Sequence, residues 1–500
     1  VSRNYLIGVG GSGSKCVEAM LHLCAAGLGP KDVTDLWVGM VDADDDNGNV
    51  DRTRRVLALY QEMRPLLVGP VASPLFRSNI LTATKQPTWS PVPKAKHTLF
   101  DIFEHNLMKP DTALLMDCLY SKQSEQRLGL HGGFRGRPSI GAAVVLAQTL
   151  ENSPFWNDIE QAIVGAGEGE EVRLFLVGSV FGGTGAAALP SLARKLRQRI
   201  GTNTRVKIGA ALLLPYFRFP PPADPKTMAA RSDAFLMQAQ GALRYYSSLL
   251  RETHIFDNFY VVGWPELANL PVSAPDSLDQ CNPPLMPEWL ACLAALRYFS
   301  ASTLPEERLF HIGMPEDSTI GWEDFPSIAA DVDLGGQFGQ LVRWAVAFHF
   351  IYGPNLDPRS LCISHPFYYR IVGNHNDHHL LTRLRAYAEH VLRWVATLCL
   401  PTGDLYKETS LFNIDIFADR QLLIKKDGML SLLPTLDAGR LKNFPQLVRR
   451  YSGADLATIL EALSFEELDN QGLNTFAHAL FKQCKVRDFM PYASGALVPA

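Results

Sequence analysis

No CxxC pair occurs anywhere in the chain, and its eight cysteines are scattered, most of them inside apolar runs. That pattern argues against a disulfide framework and describes the reduced core cysteines of an intracellular protein. Long hydrophobic runs are missing too. The segments "IGAAVVLA" and "HVLRWVATLCL" are too short, or too interrupted by charge, to cross a bilayer, and no signal-peptide pattern opens the sequence. There is no lysine- or arginine-rich tract: 47 basic residues face 51 acidic ones, a formal net charge of −4, so no basic field exists to hold nucleic acid non-specifically. Internal repeats and low-complexity tails are absent. What remains is the expectation of a cytoplasmic, globular chain, 47% hydrophobic and long enough for two or three domains.

What is present begins with "YLIGVGGSGSKCVEAM", in which Gly8, Gly10 and Gly13 spell GxGxxG between an apolar run and a helical pattern. A second strand pattern, "DLWVGMVD", breaks into the acidic turn "ADDDNGN". Residues 65–93 are rich in Pro, Ser and Thr without periodicity and read as an irregular surface excursion. From Ser139 the chain alternates: helix "SIGAAVVLAQTLE", strand "VRLFLVGS", a glycine turn, helix "AAALPSLARKLRQRI", strand "VKIGAALLLP", a long helix, and strand "NFYVVGW". This is the pattern of βαβ units, hence an α/β fold with a mostly parallel sheet and ligands at the strand carboxyl ends. Beyond Thr303 longer helical patterns dominate. The expected division is an α/β domain over 1–302 and a helix-rich domain over 303–500.

A glycine-rich strand-to-helix turn can hold phosphate, because its N–H groups converge and the helix dipole favours an anion. In isolation GxGxxG is weak and also describes a structural tight turn. Asp42, at the end of the second strand, stands about where a dinucleotide-dependent oxidoreductase places its ribose-binding carboxylate. A second turn, Gly182, Gly183, Thr184 and Gly185, repeats the strand, glycine, helix arrangement and adds a hydroxyl donor. Two such turns in one sheet can grip two ends of a polyphosphate.

At this point the sequence resembles the tubulin/FtsZ superfamily. "FGGTGAA" is similar to that family's GGGTGTG turn, "GVGGSGSK" to its first glycine loop, and "WVGMVDADDDN" to the strand and acidic loop written "NTDAQAL" in FtsZ. "GGFRGRPSIGAAV" resembles "GANPEIGKKAA", "LLLPYFRF" resembles "TRPFxFEG" before a helix containing Arg231, and "NFYVVGWPEL" resembles "DTLIVIPNDKL". The order holds from Asn4 to Ser302.

The resemblance implies a divergent bacterial tubulin-like protein that binds GTP or GDP with Mg²⁺ and self-associates or docks to protein partners, with hydrolysis, if any, slow and assembly-dependent. It implies that Gly10, Gly11, Ser12, Gly13 and Gly182 to Gly185 cradle phosphates and that Asp42 and Asp44 sit near Mg²⁺; the plain reading of the Asp run is a solvated turn. Arg135 and Arg137 would face the terminal phosphate, or be surface arginines. Asn282 would read the guanine edge, or cap a helix in "CNPP". Phe217 and Phe219 would lie near the ribose and Trp264 against the base. The FtsZ acidic motif NxDxxD is absent; Glu323 and Asp324, in "TIGWEDFPSIAADVD", are the candidates to polarise a water across an interface, or form an ordinary acidic loop. His375 and His379, in "GNHNDHHLL", have metal-pair spacing if helical, or simply start a helix. A non-catalytic scaffold of the same fold is the competing reading from another class.

Overall fold

The computed structural model describes residues 2–31, 34–44, 47–67, 73–83, 87–150, 153–166, 170–219, 235–252, 254–265, 267–270, 281–305, 308–314, 319–352, 375–399, 411–413, 423–426, 429–432, 444–465 and 472–488. Contacts divide the chain into two compact units: residues 1–21, 30–57 and 79–316, and residues 22–29, 58–78 and 317–500.

The first unit is a twisted α/β sheet. Its strands are β1 (Ser2–Val9), β2 (Asp35–Val41), β3 (Asn79–Leu81), β4 (Thr88–Trp89), β5 (Glu171–Ser179) and β6 (Val206–Leu213), with β8 (Asn258–Val262) and β10 (Leu309–Ile312). The strand order is β10-β8-β6-β5-β1-β2-β3, with β4 also on β2, and every pairing is parallel. The short pair β7 (Phe217–Arg218) and β9 (Ala268–Asn269) stands apart from this sheet. Strand β5, "EVRLFLVGS", is buried from Val172 onward, as expected of a parallel strand covered on both faces. Because order reverses between β1 and β5, the crevice at their carboxyl ends is the switch point where ligands of open α/β sheets bind.

The helices of this region are α1 (Gly10–Ala25), α2 (Gly48–Leu67), α3 (Leu99–Ile102), α4 (Pro110–Leu119), α5 (Pro138–Ala147), α6 (Pro154–Gly165), α7 (Gly183–Ile200), α8 (Phe235–Glu252) and α9 (Met286–Ser300). Phe175 meets Tyr298 of α9 at 5.3 Å between ring centroids, whereas Gly178, three residues along the same strand, faces Leu189 of α7. Successive strand residues alternate faces, so α7 and α9 cover opposite sides of the sheet. Helix α9 is buried almost all round, from Met286 to Phe299 apart from Arg297, as its largely apolar sequence requires, with Glu288 the one charged residue inside.

Two elements depart from the sequence expectation. The stretch 65–93 is not wholly irregular: β3 and β4 lie within it and satisfy the outer edge of β2, with Met40 N donating to Pro87 O (2.8 Å) and Asp42 N to Trp89 O (3.1 Å). Strands of two and three residues carry no periodicity of their own; the edge of β2 supplies their pairing. Likewise β10, "LFHI", extends the sheet past residue 302, and its half-exposed pattern gives little hydrophobic signal.

The second unit is mainly helical. It contains α10 (Leu334–Val346), α11 (His375–Cys399), α12 (Leu456–Phe465) and α13 (Gly472–Gln483), with antiparallel pairs β11 (Leu423–Lys426) with β12 (Met429–Leu432) and β13 (Tyr451–Gly453) with β14 (Val486–Asp488). Tyr387 of α11 gathers His22, Tyr60 and Phe76 around its ring. Arg343 of α10 is fully buried; it donates to the carbonyls of Cys484 and Lys485 at 3.1 Å and to that of Ala454, and stacks on Phe444. Among the described residues no helix is long and apolar enough to cross a membrane.

Candidate functional site

Both glycine turns end at one cavity in the first unit. β1 stops at Val9 and α1 starts at Gly10, whose φ of +77° suits glycine. A Cβ there would also lie 3.0 Å from the Gly185 nitrogen, so the two turns abut backbone to backbone. The outer glycines of GxGxxG do something else. A Cβ at Gly8 would lie 2.4 Å from Gly13 O, and one at Gly13 2.5 Å from Val177 O. These two let helix α1 lie close on the sheet, while Gly10, Gly11 and Ser12 line the cavity and Gly13 does not.

In the second turn Gly182, Gly183, Thr184 and Gly185 all line the cavity. Gly183 has Gly136 N 3.0 Å from where its Cβ would be, and Gly185 has Ser179 O at 2.7 Å, so neither position has room for a side chain. Helices α1, α2 and α7 all begin at this cavity, which brings three sets of first-turn N–H groups and three positive dipole ends to one space. Its enclosed volume is about 180 Å³, and it opens to solvent at the mouth.

The acidic loop adds the charge. Asp42 is buried, and its Oδ1 accepts from Thr184 Oγ1 (2.9 Å) and Asp44 N (3.2 Å) while Oδ2 accepts from Asn47 Nδ2 (3.0 Å). Burial pushes its carboxyl up to about 7 against these hydrogen bonds. One carboxylate therefore ties the second glycine turn to the acidic loop and to the start of α2. Asp44 lines the same cavity and pairs through its backbone with Gly132. Two carboxylates and a hydroxyl form an all-oxygen set that suits a hard divalent cation completed by phosphate and water. Among the described residues no group of three or more His, Cys, Asp or Glu side chains could hold a metal ion.

The loop over the cavity turns on three residues in the left-handed region, Gly133 (φ +74°), Arg135 (φ +48°) and Gly136 (φ +71°). For arginine that conformation costs roughly 1–2 kcal/mol. Arg135 lines the cavity. Arg137 does not: it precedes α5 and donates to the Ser124 carbonyl.

At another part of the wall Asn282 contributes, buried, with its backbone N–H donated to Asn49 Oδ1 (2.8 Å). Asn47 and Asn49 are residues that sequence reasoning missed. A Cβ at Gly11 would touch both, and the "NGN" that opens α2 shows in the sequence only a turn. Phe181, Phe217, Phe219 and Phe235 form an aromatic wall, with Phe181 5.0 Å from both Phe217 and Phe235. Trp264 is not among the lining residues. Lys15, in "GGSGSK", does not reach the cavity: it is buried in an ion pair with Glu288, which also accepts from Tyr216 OH at 2.6 Å. Burial lowers the Lys15 ammonium and raises the Glu288 carboxyl.

Glu323 and Asp324 belong to the second unit and hold local structure. Glu323 pairs with Arg450 at 2.6 Å, and Asp324 Oδ2 accepts from Gly321 N at 2.7 Å at the start of a short 3₁₀ turn. His375 lies on α11, but its side chain and Arg231 fall outside the described residues, so the metal-pair reading has no geometry.

No family model and no curated protein matches the chain. Among solved structures it is similar to CetZ from Methanosaeta thermophila strain DSM 6194, at 16% identity and a TM-score of 0.21, over 52% of this chain and 45% of that one. The matched part thus spans under half of that protein's length, and an overlap of this extent carries no functional weight.

Proposed function

We propose that the chain binds a guanine nucleotide with Mg²⁺ in this cavity, and that the bound nucleotide governs self-association or docking to another protein. The observation that carries the reading is the abutment of two glycine turns, with three helix N-termini, around one space. Gly10 to Ser12 and Gly182 to Gly185 hold the phosphates, and Arg135 meets their charge. Asp42 and Asp44 hold the cation, which supplies charge neutralisation between the phosphates. Asn282, with an amide that can both donate and accept, is the group on the wall that suits a guanine edge.

The strand order alone fits a dinucleotide enzyme equally well. The second glycine turn separates the two: a dinucleotide fingerprint needs only the first, whereas Gly182, Gly183, Thr184 and Gly185 line the same cavity as Gly10 and Gly11. A second reading, a scaffold that retains nucleotide without turning it over, is favoured by the engagement of Glu323 and Asp324 in local structure. Equilibrium binding to GTP, GDP, ATP and NAD with Mg²⁺ tests the proposal: guanine nucleotides should bind tightest, and a preference for NAD or no binding at all would overturn it. Turnover per molecule that stays flat as protein concentration rises would favour the scaffold over an assembly-dependent GTPase.

A further inference from the structure

Arg52, on the second turn of α2, lies outside the cavity lining but reaches two elements at once. Its Nε donates to Glu18 of α1 (2.8 Å to Oε2), and its Nη2 lies 2.8 Å from the same oxygen. Its Nη1 donates in the opposite direction, to Asn282 O (2.7 Å) and Cys281 Sγ (3.1 Å). One turn earlier, Asn49 Oδ1 takes the Asn282 N–H, and Asn47 Oδ1 takes the Asn49 N–H at 3.0 Å. The peptide groups of Asn282 are thus held on both sides, N–H by Asn49 and carbonyl by Arg52. The same helix start touches Gly11 and Asp42 through Asn47. It therefore spans from the first glycine turn to the segment that carries Asn282.

We infer that the start of α2 is a spacer that sets the distance between the phosphate end of the cavity and Asn282, with Arg52 as the positioning residue that fixes the Asn282 end. This rests on the nucleotide reading above and adds to it the part that decides base selectivity. A planar guanidinium can serve Glu18 with one edge and a carbonyl with the other; a lysine ammonium at the end of a flexible stem has no such fixed fork. Arg52 lies outside the cavity lining, and with the Glu18 pairing kept its replacement should weaken recognition of the base while leaving the polyphosphate grip intact.

The test compares wild type with Arg52→Lys, which keeps a cation opposite Glu18 and hence the α1 and α2 pairing, and with Arg52→Ala. GTP and inorganic tripolyphosphate, each with Mg²⁺, are the two probes. The expected result is a roughly tenfold loss of GTP affinity in Arg52→Lys, with tripolyphosphate affinity unchanged. Cys281, which is exposed, gives a readout without nucleotide: its alkylation, followed at peptide level by mass spectrometry, should be faster in both variants. Unchanged GTP affinity, or equal losses for both probes, would overturn the inference while leaving nucleotide binding by the wild type in place. A wild type that binds tripolyphosphate as tightly as GTP would remove the nucleotide reading and this inference together.

Discussion

Two buried charged clusters flank the first glycine turn, and they are built in opposite ways. Lys15 and Glu288 are each about 1% exposed and satisfy each other, with Tyr216 completing the group. Asp42, bonded directly to Thr184 of the second turn, accepts among the described residues from a hydroxyl, an amide and backbone N–H groups, with no cation among them. The first cluster is a closed pair whose charges cancel. The second leaves a carboxyl on a cavity wall whose ionised form would be favoured by an arriving cation. Charge balance therefore separates a pair that holds the fold from a carboxyl that is proposed to serve a ligand, although both are buried and both adjoin a glycine loop.

Breaking the closed pair should have the largest effect. Lys15→Met leaves Glu288 buried and unpaired, which costs about 3–5 kcal/mol, and Lys15→Met with Glu288→Gln should recover most of that in a denaturant titration. If the single substitution left stability intact but removed GTP binding, Lys15 would belong with the ligand after all. Next comes the cavity. Gly183→Val places a branched side chain where Gly136 N and Phe134 already lie within 3.3 Å, so the loop over the cavity must move. GTP affinity should fall about a hundredfold, ~2.7 kcal/mol, with little loss of fold, and calorimetric titration would show it.

The Asp42 side of the comparison can be read through pH without any ligand. Its carboxyl stands at about 7 in the folded chain, above the ordinary value of 3.8, so between these values the folded state binds more protons than the unfolded one. Stability from this group is present in acid and is lost as pH rises through 7. The loss between pH 5 and 7 should be about 2 kcal/mol, measured as the difference between wild type and Asp42→Asn in chelator. Parallel pH profiles for the two proteins would mean that Asp42 is ionised throughout.

Legibility of the sequence followed the same divide between local and distant interactions. The α/β class and the parallel sheet were readable because β1, β5 and β6 are apolar runs followed by amphipathic helices. Edge strands β3, β4 and β10 were not, since each borrows its hydrogen bonds from a neighbour and has no pattern of its own. The glycine turns could be seen in the chain, but GxGxxG does not reveal that Gly8 and Gly13 pack the helix while Gly10 faces the cavity. Nor does it reveal Asn47, Asn49 and Arg52, whose partners Asp42, Gly11 and Asn282 include one that is 230 residues away in sequence.

The smallest effect is expected at Glu323, where sequence reasoning placed a possible water-polarising group. In the second unit it forms a half-exposed pair with Arg450, itself in the left-handed region at φ +69°. A solvent-screened pair of this kind contributes under about 1 kcal/mol. Glu323→Gln and Arg450→Ala should therefore each shift the unfolding midpoint slightly and by similar amounts, because each removes the same contact. If Glu323 instead serves a second subunit's nucleotide, the two substitutions part company: Glu323→Gln would abolish GTP turnover that rises with protein concentration, while Arg450→Ala, which frees the carboxylate, would preserve or raise it. Turnover against concentration for the two variants thus decides whether this acidic group holds local structure, as Lys15 and Glu288 do, or serves a ligand, as proposed for Asp42.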